Sequence, residues 1–409
     1  MIKEQLKEAK KACRFMQNVK PKVKNKALKN ISEALIQKSE LIIQENQKDI
    51  AEAKNNGIKE SMVDRLLLNK ERIEAMAKDI LKVIDLQDPI GTLVREIKRP
   101  NGLVIQQIRI PLGVIGVIYE SRPNVTVDIA SLCIKTNNVC VLKGGKEAIH
   151  SNRILVQIIN EAIQDVLPTH TVTLIETKKR EETLDLIQAH DYVDVIIPRG
   201  SAGLIQYVVK NATVPVIETG AGICHLYVDQ DASLDMALEI AKNAKIQRPS
   251  VCNAIETILV HQKVAPEFLP KLQEIFKNVQ IYGDEKTRKN IDCLEATEKN
   301  YATEYDDYIC NIKVVDDIEE AIEHIYNYST KHSESIITEN KETAKYFMES
   351  LDSACVYHNA STRFSDGGEF GFGAEVGIST QKLHARGPLG LQEITSTKYM
   401  IYGNGQVRS

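Results

Sequence analysis

The feature that most constrains this chain is a series of short, β-branched apolar runs that alternate with helical stretches from residue 114 onward. Runs that are apolar at nearly every position are typical of parallel strands, because helices cover both faces of a parallel sheet. The sequence therefore predicts an α/β fold with two parallel-sheet domains. The predicted strands are 139–142, 172–175, 193–197 and 214–217 in the first domain, and 258–260, 279–282, 312–315, 334–337 and 354–358 in the second.

Three parts of the chain lie outside this alternation. Residues 1–95 carry apolar side chains at spacings of three and four, as at Leu28 and Ile31, which predicts helices. Segments 103–109 and 393–402 are predicted to be amphipathic extended segments at the margins of the domains. An isolated two-stranded ribbon is marginally stable, so we expect these segments to pair with something else, another subunit being one candidate.

The composition argues against several classes of protein. Lys plus Arg number 52 against 56 Asp plus Glu, and the formal charge of −4 provides no global positive field for nucleic acid. No apolar run approaches the roughly 20 residues of a membrane span, and the charged N-terminus lacks the apolar core of a secretory signal. The eight cysteines are scattered, without a C-x-x-C pair or a cluster with His, which argues against disulfides and a bound metal and for the cytoplasm.

Glycine-containing loops follow three predicted strands of the first domain, at 143–147, 198–203 and 218–222. Parallel sheets bind ligands at the carboxyl ends of their strands, where glycine permits close backbone approach and the N–H groups of a helix start attract phosphate. The three loops together predict a nucleotide site. None matches G-x-G-x-x-G, and tight turns between a strand and a helix use glycine anyway, so ordinary turns remain the alternative.

One cysteine stands apart from the others. Cys252 lies in a polar, Pro-containing segment just after a predicted helix, in a loop or at a helix start, with Arg248 nearby. Both features favour the nucleophilic thiolate over the thiol. The alternative is a small buried hydrophobe, which is the most frequent role of a free cysteine. That role is the one we expect for Cys133, Cys140, Cys224 and Cys355.

The segment 247–254 (QRPSVCNA), followed by Glu256 and Thr257, resembles the active-site segment of the gamma-glutamyl phosphate reductases, a branch of the aldehyde dehydrogenase superfamily. The resemblance spans nearly the whole chain. The other segments that carry it are 110–128, 141–145, 197–205, 216–229, 359–364 and 371–391.

This resemblance implies three domains, one that binds the cofactor, one that carries the catalytic thiol, and a small β extension for oligomerisation. The implied boundaries are 1–102, 113–226 and 359–387 for the cofactor-binding domain, 227–358 for the catalytic domain, and 103–112 and 388–409 for the extension.

The resemblance also implies a reaction. L-glutamyl 5-phosphate and NADPH would give L-glutamate 5-semialdehyde, phosphate and NADP, the second step of proline biosynthesis from glutamate. Cys252 would attack the acyl phosphate, phosphate would leave, and hydride from NADPH would reduce the thioester. The backbone N–H of Cys252 and the side chain of Asn124 are the implied oxyanion donors, although Asn124 equally suits a turn after Pro123.

For the cofactor, the resemblance places Lys143 on the adenosine ribose, and Lys146 adds a second cation that would favour the 2′-phosphate of NADPH. Gly200 and Ser201 match the pyrophosphate contact, and Glu304 matches the acidic residue on the nicotinamide ribose.

Glu218, which we place with the cofactor site, aligns with the Glu that activates water in dehydrogenases oxidising aldehydes to acids. Hydrolysis of the thioester would waste this substrate. We therefore expect Glu218 to tune or orient the site and not to serve as an essential base.

Five cations are candidates for binding the charged substrate, and the alternative for each is a surface or interdomain ion pair. They are Arg248, Arg363, Lys382, His384 and Arg386.

Two other functions remain as alternatives, a hydrolytic semialdehyde dehydrogenase and a non-catalytic partner of glutamate kinase. The resemblance further implies a homo-oligomer, a dimer or larger. Because glutamyl phosphate is labile, glutamate 5-kinase is a candidate partner, while no nucleic acid or membrane partner is expected.

Overall fold

The structure, a computed structural model, describes residues 2–58, 60–176 and 180–408. The chain divides into two compact units: Met1–Thr219, Gly371–Gly377 and Leu389–Ser409 form unit 1, and Gly220–Phe370 and Ile378–Pro388 form unit 2. The three-domain division with its own boundaries stays a prediction. In the described part of the chain, no helix combines the length and apolar character that a bilayer crossing requires.

Unit 1 begins with a helical segment and continues as alternating strands and helices. Its elements up to residue 211 are α1 (Ile2–Met16), α2 (Pro21–Gln37), α3 (Ser39–Asn55), α4 (Glu60–Leu66), α5 (Lys70–Asp85), β1 (Leu93–Lys98), β2 (Val104–Pro111), β3 (Val114–Tyr119), α6 (Asn124–Lys135), β4 (Val139–Gly144), α7 (Ile149–Ile163), β5 (Val172–Leu174), α8 (Arg180–Ile187), β6 (Val195–Arg199) and α9 (Ala202–Asn211).

The N-terminal helices form where the apolar spacing predicts them. Leu28 and Ile31 are fully buried on one face of α2, because residues three and four apart share a helix face. Asn69 caps α5, its side chain accepting a hydrogen bond from the backbone N–H of Arg72. The helical prediction for 1–95 fails only at its end, where β1 begins at Leu93.

The main sheet of unit 1 has the order β5-β4-β3-β6, and all of its pairs are parallel. Every residue of β3 is buried, as expected for a strand covered on both faces. The predicted strand 214–217 is wrong: it makes a single bridge, between Ile196 and Val216. Pro215 lacks the N–H that a longer ladder needs.

Unit 2 holds the larger parallel sheet, of order β10-β9-β11-β8-β7-β12-β13. Its elements are β7 (Cys224–Val228), α10 (Leu234–Ile246), β8 (Ile255–His261), α11 (Ala265–Ile275), β9 (Gln280–Gly283), α12 (Glu285–Arg288), β10 (Leu294–Glu295), α13 (Glu298–Tyr301), β11 (Ile309–Val315), α14 (Ile318–Tyr328), β12 (Ser333–Ile337), α15 (Lys341–Ser350), β13 (Cys355–His358), β14 (Ile378–Ser379) and β15 (Gly387–Pro388).

The five predicted strands of the second series correspond to β8, β9, β11, β12 and β13. Strand β7 was not predicted, although it is an interior strand of the sheet and all five of its residues are buried. It pairs in parallel with β8 and with β12.

The last strand, β16 (Thr395–Tyr402), returns to unit 1 and completes a second sheet of order β1-β2-β16. Both pairs are antiparallel, and β16 matches β2 from Thr395 opposite Pro111 to Tyr402 opposite Val104. The two extended segments of the sequence therefore pair with each other inside one chain, together with β1. Partners nearly 300 residues apart leave no local signal that identifies one to the other.

Candidate active site

Cys252 lies in a turn between the end of α10 and the start of β8, and it is half-buried. The loop prediction is confirmed, but the helix start is not, because the chain enters a strand. The turn stands at the amino end of β8. This position differs from the carboxyl-end rule that the glycine loops of unit 1 follow.

Close backbone packing holds the Cys252 turn. A Cβ on Gly222 would stand 1.5 Å from the carbonyl oxygen of Cys252, so only glycine fits there. The Cys224 thiol donates a hydrogen bond to the same oxygen at 3.2 Å. Cys224 is itself buried, as predicted, with Cys133, Cys140 and Cys355.

The residue after the thiol anchors the turn to the chain beyond β13. The Asn253 side chain donates to the carbonyl oxygens of Arg363 at 3.3 Å and Ser365 at 2.9 Å. Thr362 donates from Oγ1 to the Asn253 carbonyl oxygen at 2.7 Å. The thiol turn is therefore fixed at the Cys252 carbonyl group and at Asn253.

Two arginines lie beside this turn. The half-buried Arg363 donates from Nη1 to Asn253 and from Nε to the Gln247 side chain at 3.1 Å. Burial and the neighbouring Arg248 charge lower the pKa of Arg363, while the Asp366 and Cys252 charges oppose that shift. An arginine stays protonated in proteins, so the predicted cations Arg248 and Arg363 place positive charge by the thiol.

Glu304 belongs to the same neighbourhood of unit 2. Its carboxylate accepts the backbone N–H of Gly222 at 2.7 Å, and burial raises its pKa. Gly222 thus links Glu304 to the carbonyl of Cys252. The contact of Glu304 with a cofactor ribose stays a prediction.

The remaining predicted substrate cations lie on the segment between β14 and β15. Lys382 Nζ lies 2.8 Å from Asp352, and Arg386 donates to the Asp352 carboxylate at 2.8 Å. Hydrogen bonds from Lys382 and Arg386 hold the pKa of Asp352 well below its usual range. Both cations therefore take part in an ion-pair cluster, and their role in substrate binding stays a prediction. His384 is exposed, with a left-handed φ of 71°.

A buried ion pair joins α10 to β8 across the thiol turn. Lys245 Nζ and Glu256 Oε2 are 2.8 Å apart, and both side chains are almost completely buried. Burial raises the pKa of Glu256 to about 8, and the attraction of Lys245 only partly offsets this. Desolvation disfavours the charged carboxylate more than its partner stabilises it.

The raised pKa of Glu256 predicts a pH dependence of stability. A carboxyl whose pKa is higher in the folded than in the unfolded chain stabilises the fold at low pH, and this contribution is lost as pH rises to about 8. We expect the free energy of unfolding to fall by about 2 kcal/mol more in wild type than in Glu256→Gln between pH 6 and 8. Urea titrations measure it, with the exposed Glu267→Gln as control; equal slopes would contradict it.

In unit 1 the predicted cofactor residues gather at the carboxyl edge of the main sheet. Lys143 pairs with Ile118, and Tyr119 pairs with both Gly144 and Arg199, so the loops after β3, β4 and β6 begin side by side. Lys143 is half-buried, and burial lowers its pKa against the opposing charges of nearby carboxylates. Lys146 is exposed.

The backbone at the start of α9 binds the carboxylate of a neighbouring loop, that of Glu120. The backbone N–H of Ser201 donates to the Glu120 carboxylate at 2.9 Å, and a Cβ on Gly200 would stand 2.5 Å from that carboxylate. The Ser201 side chain caps the helix by accepting the N–H of Leu204. An N–H that binds a carboxylate oxygen suits a pyrophosphate oxygen as well, so these residues fit a dinucleotide cofactor.

Asn124 is the first residue of α6, directly after Pro123. Its side-chain Nδ2 donates to Asp128 Oδ2 at 2.9 Å, one helical turn further on.

Glu218 is half-buried and adjoins Thr219, which donates to the Pro198 carbonyl oxygen at 2.6 Å. The catalytic role of Asn124 and the tuning role of Glu218 stay predictions.

Sequence reasoning did not single out four residues that shape these sites. Asn253 and Gly222 position the thiol turn, Glu120 occupies the α9 start, and Asp128 holds Asn124. The position of Asn253 next to the cysteine was a usable signal. Gly222 and Glu120 act through contacts between segments far apart in the chain, whereas Asp128 lies one helical turn from Asn124.

The chain matches the model of the aldehyde dehydrogenase family over residues 1–309. It is 54% identical over 404 residues to gamma-glutamyl phosphate reductase of Clostridium novyi (strain NT), covering 98% of this chain and 97% of that protein. The corresponding protein of Petrotoga mobilis is 55% identical over 405 residues, with 98% and 97% covered. The chain belongs to the gamma-glutamyl phosphate reductase family.

Solved structures agree with this assignment. The crystal structure of gamma-glutamyl phosphate reductase from Thermotoga maritima has a TM-score of 0.97 to this chain at 48% identity, with 99% of each chain covered. An acetylating aldehyde dehydrogenase from Geobacillus thermoglucosidasius has a TM-score of 0.73 at 16% identity, which shows a shared fold alone. The predicted aldehyde dehydrogenase-like α/β fold is confirmed.

Proposed function

We propose that this enzyme reduces L-glutamyl 5-phosphate to L-glutamate 5-semialdehyde with NADPH and releases phosphate. The observation that carries the proposal is the Cys252 turn, fixed by Gly222 and Asn253 and flanked by Arg248 and Arg363. It stands in a chain of the gamma-glutamyl phosphate reductase family. Acyl transfer to a thiol needs a fixed nucleophile and positive charge near the anionic leaving group, and this turn supplies both.

In the first step the Cys252 thiolate forms a bond to the acyl carbon, and the carbon–oxygen bond to phosphate breaks. The arginines stabilise the phosphate anion as it leaves. The backbone N–H of Cys252 stabilises the oxyanion, and Asn124 keeps its predicted role as a second donor. After reduction, the thiohemiacetal on Cys252 collapses to aldehyde and thiolate, which regenerates the enzyme.

The nicotinamide cofactor supplies the hydride when bound. Lys143, Lys146 and the N–H of Ser201 would hold its anionic part, and Glu304 would contact its ribose, as the family resemblance implies. The Ser201 N–H donates to the Glu120 carboxylate in this structure, so a bound pyrophosphate would compete with Glu120 for that donor.

The test of this function is phosphate dependence in the reverse direction. Purified enzyme with glutamate semialdehyde and NADP is expected to form NADPH only when phosphate or arsenate is added. Phosphate-independent turnover would favour the hydrolytic dehydrogenase, in which Glu218 activates water. No turnover under either condition would favour a non-catalytic protein.

Charge reversal at Lys146 tests the preference for NADPH. We expect Lys146→Glu to raise the KM for NADPH by about tenfold and to leave the KM for NADH within about twofold, because only NADPH carries the 2′-phosphate. Steady-state kinetics with both cofactors measure this. Lys210→Glu, an exposed change of equal charge on α9, is the control. Equal losses for both cofactors would contradict a 2′-phosphate contact.

We also propose that the enzyme is a homo-oligomer joined through the β1-β2-β16 sheet. Tyr399 and Ile401 of β16 are about 60% exposed, and β16 is an edge strand of the sheet that the described residues form. Sedimentation equilibrium is expected to give a dimer or larger species, and Ile401→Lys is expected to shift it toward monomer. A monomeric wild type would contradict the proposal.

A further inference from the structure

Two carboxylates join the loops that follow β3, β4 and β6 in unit 1. Glu120, the first residue after β3, accepts the backbone N–H of Ser201 at 2.9 Å. Glu147, between β4 and α7, accepts the backbone N–H of Ser121 at 2.7 Å and its hydroxyl at 3.0 Å. The three loops that carry predicted cofactor residues are therefore held to one another by acidic side chains.

The Glu120 carboxylate lies against both backbone groups that the sequence assigns to the pyrophosphate. It accepts the Ser201 N–H, and one of its oxygens would stand 2.5 Å from a Cβ on Gly200. Glycine at the start of a helix leaves room for a phosphate to approach the backbone, and here a carboxylate of the protein takes that room. Glu120 and a ligand phosphate therefore need the same place.

The rest of the first turn of α9 is open. Ser201, Ala202 and Gly203 are exposed, and a Cβ on Gly203 would meet no atom of the described residues within 4 Å. Packing within the described chain gives no reason for glycine there, whereas close approach of a ligand does. Glu120 is only half-buried, so water can solvate its carboxylate once an arriving anion displaces it.

The two carboxylates differ in how they act on Lys143. Burial lowers the pKa of Lys143, and the charges of Glu147 and, less strongly, Glu120 oppose that shift. Of the two, Glu120 is the one that accepts an N–H of α9. A comparison of Glu120 with Glu147 therefore separates competition for the α9 donor from a general effect of negative charge near Lys143.

We propose that Glu120 is an internal competitor of the cofactor pyrophosphate and weakens the binding of NADPH and NADH alike. This inference rests on the proposed function and deepens it, because it names a residue that sets cofactor affinity. Binding replaces one charge-assisted hydrogen bond to the Ser201 N–H by another, so this donor adds little net affinity. A moderate affinity favours release of the oxidised cofactor, a step that limits turnover in many enzymes.

The experiment measures cofactor binding without substrate, through the nicotinamide fluorescence of NADPH and NADH. We expect Glu120→Gln to lower both dissociation constants by about three- to tenfold, because a neutral amide oxygen competes less well than a carboxylate for the Ser201 N–H. Glu120→Ala, which leaves no acceptor, is expected to bind at least as tightly as Glu120→Gln. Thermal unfolding of both variants at the wild-type temperature is expected to show that the fold is intact.

Two controls separate competition from a general charge effect. Glu147→Gln removes the charge that acts more strongly on Lys143, and its side-chain oxygen still accepts the Ser121 hydrogen bonds. Its dissociation constant for NADPH is expected to stay within about twofold of wild type, because solvent screens this charge. Adenosine 2′-phosphate lacks a pyrophosphate, so Glu120→Gln is expected to change its dissociation constant, measured by displacement of NADPH, by less than about twofold.

An equal gain from Glu147→Gln, or for adenosine 2′-phosphate, would overturn the inference, because it would show a general effect of charge. Weaker binding of both cofactors by Glu120→Gln would overturn it too, since Glu120 would then be a partner of the cofactor. If wild type binds the cofactors and Glu120→Gln binds them no more tightly, this inference fails alone. If wild type binds neither cofactor, the proposed function fails with it.

Discussion

Replacing Cys252 by alanine is expected to lower the rate of phosphate-dependent NADPH formation by about 10³-fold or more. The thiol is the nucleophile of the proposed reaction, and no hydroxyl or water can form the thioester in its place. The half-buried Cys252 side chain lies in a turn that backbone contacts hold, so the fold is expected to persist. The measurement is steady-state kinetics together with thermal unfolding.

Cys293→Ala is the matched control, because Cys293 is a second half-buried thiol of unit 2. Its turnover is expected to stay within about threefold of wild type. Alkylation adds an independent readout, since iodoacetamide should inactivate wild type and leave the residual activity of Cys252→Ala unchanged. Turnover by Cys252→Ala at the wild-type rate would contradict the proposed thiol mechanism.

The second large effect is expected at Gly222. A methyl group placed 1.5 Å from the Cys252 carbonyl oxygen cannot be accommodated, so the two backbones must separate. A displacement of about 1 Å at a reacting group costs about 10²-fold in rate. We therefore expect Gly222→Ala to lose about 10²-fold in kcat and about 1–3 kcal/mol in the free energy of unfolding.

Gly368→Ala is the matched control in unit 2. The nearest atom to its added Cβ is the end of the flexible Asp366 side chain at 3.0 Å, which can move. Near-wild-type activity is expected there. Wild-type kinetics for Gly222→Ala, with its stability unchanged, would show that the close approach to Cys252 is not required.

Much of the fold was predictable from patterns within short segments. Strand β4, for example, begins with the continuous apolar run 139–142 between helical stretches, and a parallel sheet favours that pattern because it is buried on both faces. Two predictions failed for different reasons. The charged, exposed β1 was missed because it is a strand through its pairing with β2, whereas 214–217 was predicted as a strand from its β-branched residues although Pro215 lacks the N–H that a longer ladder needs.

The candidate site was predictable only in part. The family segments predicted the thiol of Cys252 and the cations Arg248 and Arg363, and the structure places Arg363 beside the Cys252 turn. The same segments grouped Lys382 and Arg386 with them, yet these two side chains pair with Asp352. The motif shows that Lys382 and Arg386 are cations, but it does not show which groups they contact. Their acidic partner, Asp352, lies 30 residues or more away along the chain.

By itself the sequence determined the α/β class and the family and pointed to Cys252 as the proposed nucleophile, because apolar periodicity and the motif around Cys252 are local properties of the chain. Only the tertiary structure decided where β2 and β16 pair, that Gly222 packs on the thiol turn and that Glu120 occupies the start of α9. It also decided that Asp128, beside Asn124, forms no ion pair with any of the described residues. All but the last are contacts between segments far apart in the chain, and the last depends on what surrounds α6. Burial and backbone approach bring such groups together, and no local pattern of residues encodes them.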